Sequence, residues 1–137
     1  MTTTPNPAVG DELPELVLDM TATRIVAGAI ATRDFMPVHH DRDYAQAQGA
    51  PDTFMNILST NAYCGRFLTD WAGPESLIRS LSIRLGVPVH PGSTLRFTGR
   101  VTAIEVVGDE RLVHVDLTAA TASGDHATGT AVVALPA

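Results

Sequence analysis

Between residues 34 and 41 the sequence places two carboxylates and two imidazoles, in the run Asp34-Phe35-Met36-Pro37-Val38-His39-His40-Asp41. A carboxylate and an imidazole that share one water molecule can add that water to an activated double bond. One group takes a proton from the water while a proton is delivered to the neighbouring carbon. Pro37 removes a backbone donor and biases Met36 toward an extended conformation, so the segment reads as a loop. A turn through it would bring the Asp34 and His39 side chains to one point. Residue types alone allow two other readings. A polar loop of this kind is ordinarily a solvated turn, and Asp41 stands where a carboxylate caps a short helix through Tyr44-Ala45-Gln46-Ala47-Gln48, stopped by Gly49 and Pro51. His39, His40 and Asp41 could also be metal ligands, although adjacent histidines usually diverge and no further ligand has recognisable spacing.

The rest of the chain narrows the chemistry. All nine basic residues are Arg, which excludes Schiff-base chemistry, a covalent pyridoxal link and a phosphate-loop lysine. A net charge of −6 with no basic stripe argues against nucleic acid. No run of 18 apolar residues exists to span a bilayer, and the N-terminus shows no signal-peptide pattern; a cytoplasmic protein is expected. The lone Cys64 excludes an internal disulfide and sits on an apolar stripe, as a small buried hydrophobe would. No cofactor is expected.

Those 137 residues suit one domain, with 1–14 an irregular lead-in rich in proline. Arg24 to Ala31, small and aliphatic, reads as a strand. Thr53 to Trp71 reads as the long helix, capped by Asp52 and stopped at Gly73-Pro74, with an apolar stripe too wide for a surface helix. Beyond Pro74 the period falls to two. Leu81, Ile83, Leu85 and Val87 alternate with polar or small residues, as do Leu95 to Ala103 and Val113 to Leu117, and a last strand runs from about His126 to Leu135. An antiparallel sheet curled around one buried helix, an α+β layout, satisfies both patterns.

The run Asp34-Phe35-x-Pro37-Val38-His39-x-Asp41 resembles the hydratase motif of the MaoC-like family, the (R)-specific enoyl-CoA hydratases. The segment Arg84 to Leu95, containing Pro88-Val89 and Pro91-Gly92-Ser93-Thr94-Leu95, resembles that family's strand-turn-strand segment. The resemblance runs from about residue 9 onward and implies a hot-dog fold with Asp34 and His39 as the catalytic pair. Met36 replaces the family's usual Asn, which removes one polar support of the loop. Where the family often has His-Gly, with a backbone amide that binds the thioester oxygen, this chain reads Asn56-Ile57. The Ile57 amide, and Asn56 through its side chain, are therefore the expected substrate-binding groups, although Asn56 is equally suited to a polar place early in the helix. Asn56-Ile57-Leu58 and Thr69 to Pro74 are similar to a subgroup, the small subunits of actinobacterial heteromeric hydratases that act in sterol side-chain removal. That similarity implies a steroid enoyl-CoA substrate and a second hot-dog subunit as partner. A homodimeric (R)-hydratase of straight-chain acyl-CoAs, a non-catalytic subunit that stabilises a partner, and a thioesterase are the alternatives. Phe67 and Trp71 are expected in the core. His90, His114 and His126 are expected as surface or strand residues, and Arg66, Arg79 or Arg84 as solvated side chains that could meet CoA phosphates.

Overall fold

The computed structural model describes residues 4–137; residues 1–3 of the expected lead-in lie outside the described residues. Strand β1, Leu16–Met20, leads into helix α1, Ala22–Ala31. A single 3-10 turn at Pro37–His39 and the short helix α2, Arg42–Ala47, precede the long helix α3, Ile57–Ala72. Strands β2 (Leu77–Leu85), β3 (Ser93–Val107), β4 (Glu110–Thr121) and β5 (Gly124–Pro136) follow. All five strands form one antiparallel sheet in the order β1-β3-β4-β5-β2.

The sheet curls around α3. Phe67 of α3 lies against Phe97 of β3, ring centroids 5.9 Å apart, while Ile78 of β2 approaches α3 at Gly65. Strands β3 and β2 are separated in the sheet by β4 and β5, so only a wrapped sheet touches one helix at both. Alternation drives this packing: Val113, Val115, Leu117 and Ala119 of β4 are buried in the core, as are Leu95, Phe97 and Val101 of β3. The helix comes close enough to the sheet that a Cβ on Gly99 would stand 2.9 Å from the Phe67 ring. Cys64, Phe67 and Leu68 are fully buried there, and Trp71 packs at the margin of the same core. This is the curled sheet on one buried helix that the patterning predicts, and the hot-dog fold that the resemblance implies.

Two local readings are corrected. Arg24 to Ala31 is helical rather than extended. The Thr21 side chain caps α1 by accepting the Arg24 amide at 3.1 Å, and the buried positions Ile25 and Ala29 are four apart, where a strand would bury every second residue. Its Ile and Val lend the run a strand-like composition, but packing of one helical stripe decides the outcome. The long helix begins at Ile57, not Thr53. Asp52 Oδ1 accepts the amide of its neighbour Thr53 at 2.7 Å, and the next residues stay extended, with the Met55 amide donating to Val89 O at 3.0 Å. The cap is Asn56, whose Oδ1 accepts the Ser59 amide at 3.2 Å. Asp41 does cap α2, accepting the Tyr44 amide at 3.0 Å. Strand β1 has no counterpart in the sequence reading.

Candidate active site

The end of α1 sets the position of Asp34. The Arg33 amide donates to Ile30 O at 3.0 Å and the Asp34 amide to Ala29 O at 2.9 Å, the paired bonds of a Schellman terminus. The left-handed residue is Arg33, at φ 57°, a place glycine usually fills. Asp34 then turns on itself: its Oδ1 accepts the Met36 amide at 3.2 Å. Because that donor is backbone, the exposed Met36 side chain leaves the bond intact.

The 3-10 turn carries His39 inward. Its ring is buried and Nδ1 lies 2.7 Å from Phe54 O. A carbonyl only accepts, so Nδ1 bears the proton and Nε2 points toward Asp34, 3.2 Å from Oδ2. The extended segment before α3 thus fixes the imidazole's tautomer and direction. Phe54 also meets the ring edge-on at 5.1 Å. His40 is exposed and reaches back to Phe35 O at 3.4 Å, so the two neighbouring imidazoles diverge. Among the described residues no group of three His, Cys, Asp or Glu stands close enough to hold a metal ion.

Asn56 joins the loop to the helix. Its Nδ2 donates to Thr32 Oγ1 at 2.8 Å and to Asp34 Oδ2 at 3.2 Å, while Oδ1 caps α3. Both of its donors are therefore engaged within the protein, where they orient the carboxylate. The Met36 amide, then the Asn56 amide, hold the Asp34 carboxyl below its ordinary value of 3.8 against a smaller opposing effect of burial, and His39 adds a lesser pull in the same downward direction. Asp34 is an anion at neutral pH, protonating only on the acid side of that value.

The Ile57 and Leu58 amides precede the first intrahelical bond, from Thr60 N to Asn56 O. They take no acceptor among the described residues, and they lie at the positive end of a 16-residue helix. Asp34, His39, Asn56 and Ile57 share one cleft of about 310 Å³, whose other walls include Met55, Leu85, Gly86, Pro88 and His126. Its lining is mostly apolar, with the reacting groups at one place, as small-molecule sites are built.

His126 lies on β5, as expected of a strand residue, but its side chain faces inward. It lines the cleft and bonds Val87 O at 2.7 Å and Thr60 Oγ1 at 2.9 Å. His114 pairs with Glu105 at 2.9 Å on the surface, and His90 bonds Thr53 O at 2.8 Å. Arg66 pairs with Asp70 and Arg79 with Glu110; Arg84 has no such pair among the described residues. Burial pushes the Cys64 thiol up to about 11, leaving it protonated at neutral pH.

The family model for the MaoC like domain matches residues 7–123. The chain belongs to the MaoC-like family. It is 48% identical, over 122 residues covering 89% of this chain and 92% of the relative, to the 3-oxo-4,17-pregnadiene-20-carboxyl-CoA hydratase beta subunit of Mycobacterium tuberculosis. A chain of the crystallised ChsH1–ChsH2 complex from the same organism superposes with a TM-score of 0.86 at 45% identity, covering 98% of this chain and 99% of that one. The (R)-hydratase from A. caviae involved in PHA biosynthesis matches with a TM-score of 0.85 over 95% of this chain and 98% of that one, at 24% identity. That last likeness carries the fold alone. This MaoC-like chain is accordingly a hydro-lyase. No helix among its described residues is long and apolar enough to cross a membrane.

Proposed function

We propose that this MaoC-like chain is the small subunit of a heteromeric enoyl-CoA hydratase, adding water across the double bond of a steroid enoyl-CoA with a shortened side chain. The observation that carries the reading is the 3.2 Å approach of Asp34 Oδ2 and His39 Nε2 in an apolar cleft beside the open amides of α3. The substrate class rests on the function of the 48% identical relative, and the partner on the complex in which the similar solved chain was crystallised. An exposed apolar border supports a partner too. Ile57 and Leu85 line the cleft, and Phe35 and Leu58 adjoin Asp34 and Ile57 in sequence, all four with large exposed hydrophobic side chains, the kind of surface an interaction site uses. The reaction needs no cofactor beyond the CoA of the substrate, and we place it in the cytoplasm.

In this mechanism the Ile57 amide and the α3 dipole hold the thioester oxygen. A water molecule bridges Asp34 and His39 from the cleft side. As its oxygen bonds the β-carbon, Asp34 accepts its proton and the π electrons move onto the thioester oxygen. The pair then returns one proton to the α-carbon from the same face, so one water is consumed and both side chains end as they began. The Nδ1 side of His39 is committed to Phe54, which leaves Nε2 facing the carboxylate where the water is bound.

Asp34→Asn and His39→Ala test this directly. Each is expected to lower kcat by about 10²–10⁴-fold while circular dichroism and the unfolding midpoint stay near those of the unaltered protein. Normal turnover in either variant overturns the catalytic roles.

A further inference from the structure

We propose that His126 is a positioning residue for hydration, acting through Thr60 to tie the first turn of α3 to the cleft wall formed after β2. The inference rests on the hydratase reading above and adds a group to it that no motif marks.

His126 Nδ1 faces Val87 O at 2.7 Å. A carbonyl can only accept, so Nδ1 carries a proton. Burial holds the imidazole below its ordinary range, with the Val87 bond opposing that effect in part, so the ring is neutral at pH 7 and its Nε2 is a bare acceptor. The Thr60 hydroxyl, 2.9 Å from Nε2, is then the donor. That hydroxyl has one proton, and its other acceptor, Asn56 O, is farther away at 3.3 Å. The directed chain is therefore Thr60 to His126 to Val87.

This chain of bonds joins two of the elements that line the cleft. Val87 follows β2, beside the wall residues Leu85, Gly86 and Pro88, and that wall is tied to β5 by the Gly86 amide on His126 O at 2.7 Å and the Val87 amide on Asp125 O at 2.9 Å. Thr60, fully buried, stands in the first turn of α3, and its amide donates to Asn56 O at 3.2 Å. Asn56 orients Asp34 and Ile57 offers the amide for the thioester oxygen. Fixing Thr60 thus fixes the two groups whose separation from the reacting carbons sets the rate, and small misplacements of such groups are costly. An interaction of this kind acts on the transition state more than on binding, so its loss appears in kcat and little in KM.

The test uses the full chain assembled with its partner subunit and 3-oxo-4,17-pregnadiene-20-carboxyl-CoA as the probe. Thr60→Val, which removes the hydroxyl at constant volume, and His126→Phe, which keeps a ring without its nitrogens, are each expected to lower kcat about tenfold, with KM within twofold of the unaltered complex. Thr60→Ser, which keeps the hydroxyl, restores most of the rate, and the double variant is no slower than either single one because both break the same bond. Unchanged kcat in both single variants, losses that multiply in the double variant, or a rise in KM alone would overturn the proposal and leave the hydratase reading standing. Absence of turnover by the unaltered complex would instead overturn the hydratase reading, and this inference with it.

Discussion

The two ends of α3 are built on opposite principles. From Cys64 to Ala72 the helix presents Cys64, Phe67, Leu68 and Ala72 to the core, so closely that β3 needs glycine at position 99. From Asn56 to Thr60 the buried side chains are polar. Asn56, Ser59 and Thr60 are each buried and each hydrogen-bonded, and no buried side-chain nitrogen or oxygen among the described residues lacks a partner. An apolar contact is non-directional and supplies stability. A buried hydrogen bond contributes little net stability but fixes direction, and its loss leaves a group unsatisfied. One helix thus anchors the fold at its C-terminal end and aims the reacting groups at its N-terminal end.

That division can be broken experimentally. Phe67→Ala removes the ring that fills the space under Gly99 and is expected to cost about 3–5 kcal/mol of stability, read from denaturant unfolding, while kcat per folded molecule stays close to normal. A large fall in kcat without loss of stability would erase the distinction. Asn56→Ala should do the converse. Losing the cap costs about 1 kcal/mol, yet kcat falls well beyond what that destabilisation explains, because Asp34 loses the amide that orients it. A variant with full activity would show that the N-terminal end is merely a cap. The smallest effect sharpens the loop's part in the contrast. Arg33 occupies the left-handed position at the end of α1, so Arg33→Gly is expected to stabilise the fold by about 1 kcal/mol with turnover unchanged, as seen in a raised melting temperature.

Much of the site was legible because its members are close in sequence. Asp34, His39 and the Asn56-Ile57 pair announce themselves by residue type and by resemblance to a family motif, and the strands after Pro74 by strict alternation. Misreadings arose where local composition and tertiary packing disagreed. Ile25 and Val26 suggest a strand, but a single buried stripe makes the segment a helix. Asp52 resembles a cap, but Met55 is drawn into an extended pairing with Val89, which delays the helix to Ile57. The Thr60–His126 bond joins residues 66 apart in the sequence, and no local pattern encodes such a pairing. His126 consequently reads as an ordinary strand residue until the sheet has curled.

The most direct measurement follows loss of the conjugated double bond of two esters, crotonyl-CoA and 3-oxo-4,17-pregnadiene-20-carboxyl-CoA, with the chain alone and with the proposed partner hot-dog subunit. The predicted result is turnover of the steroid ester only when the partner is present. Turnover of crotonyl-CoA by the chain alone, with none of the steroid ester in either form, would contradict it and make the protein a homodimeric hydratase of straight-chain acyl-CoAs.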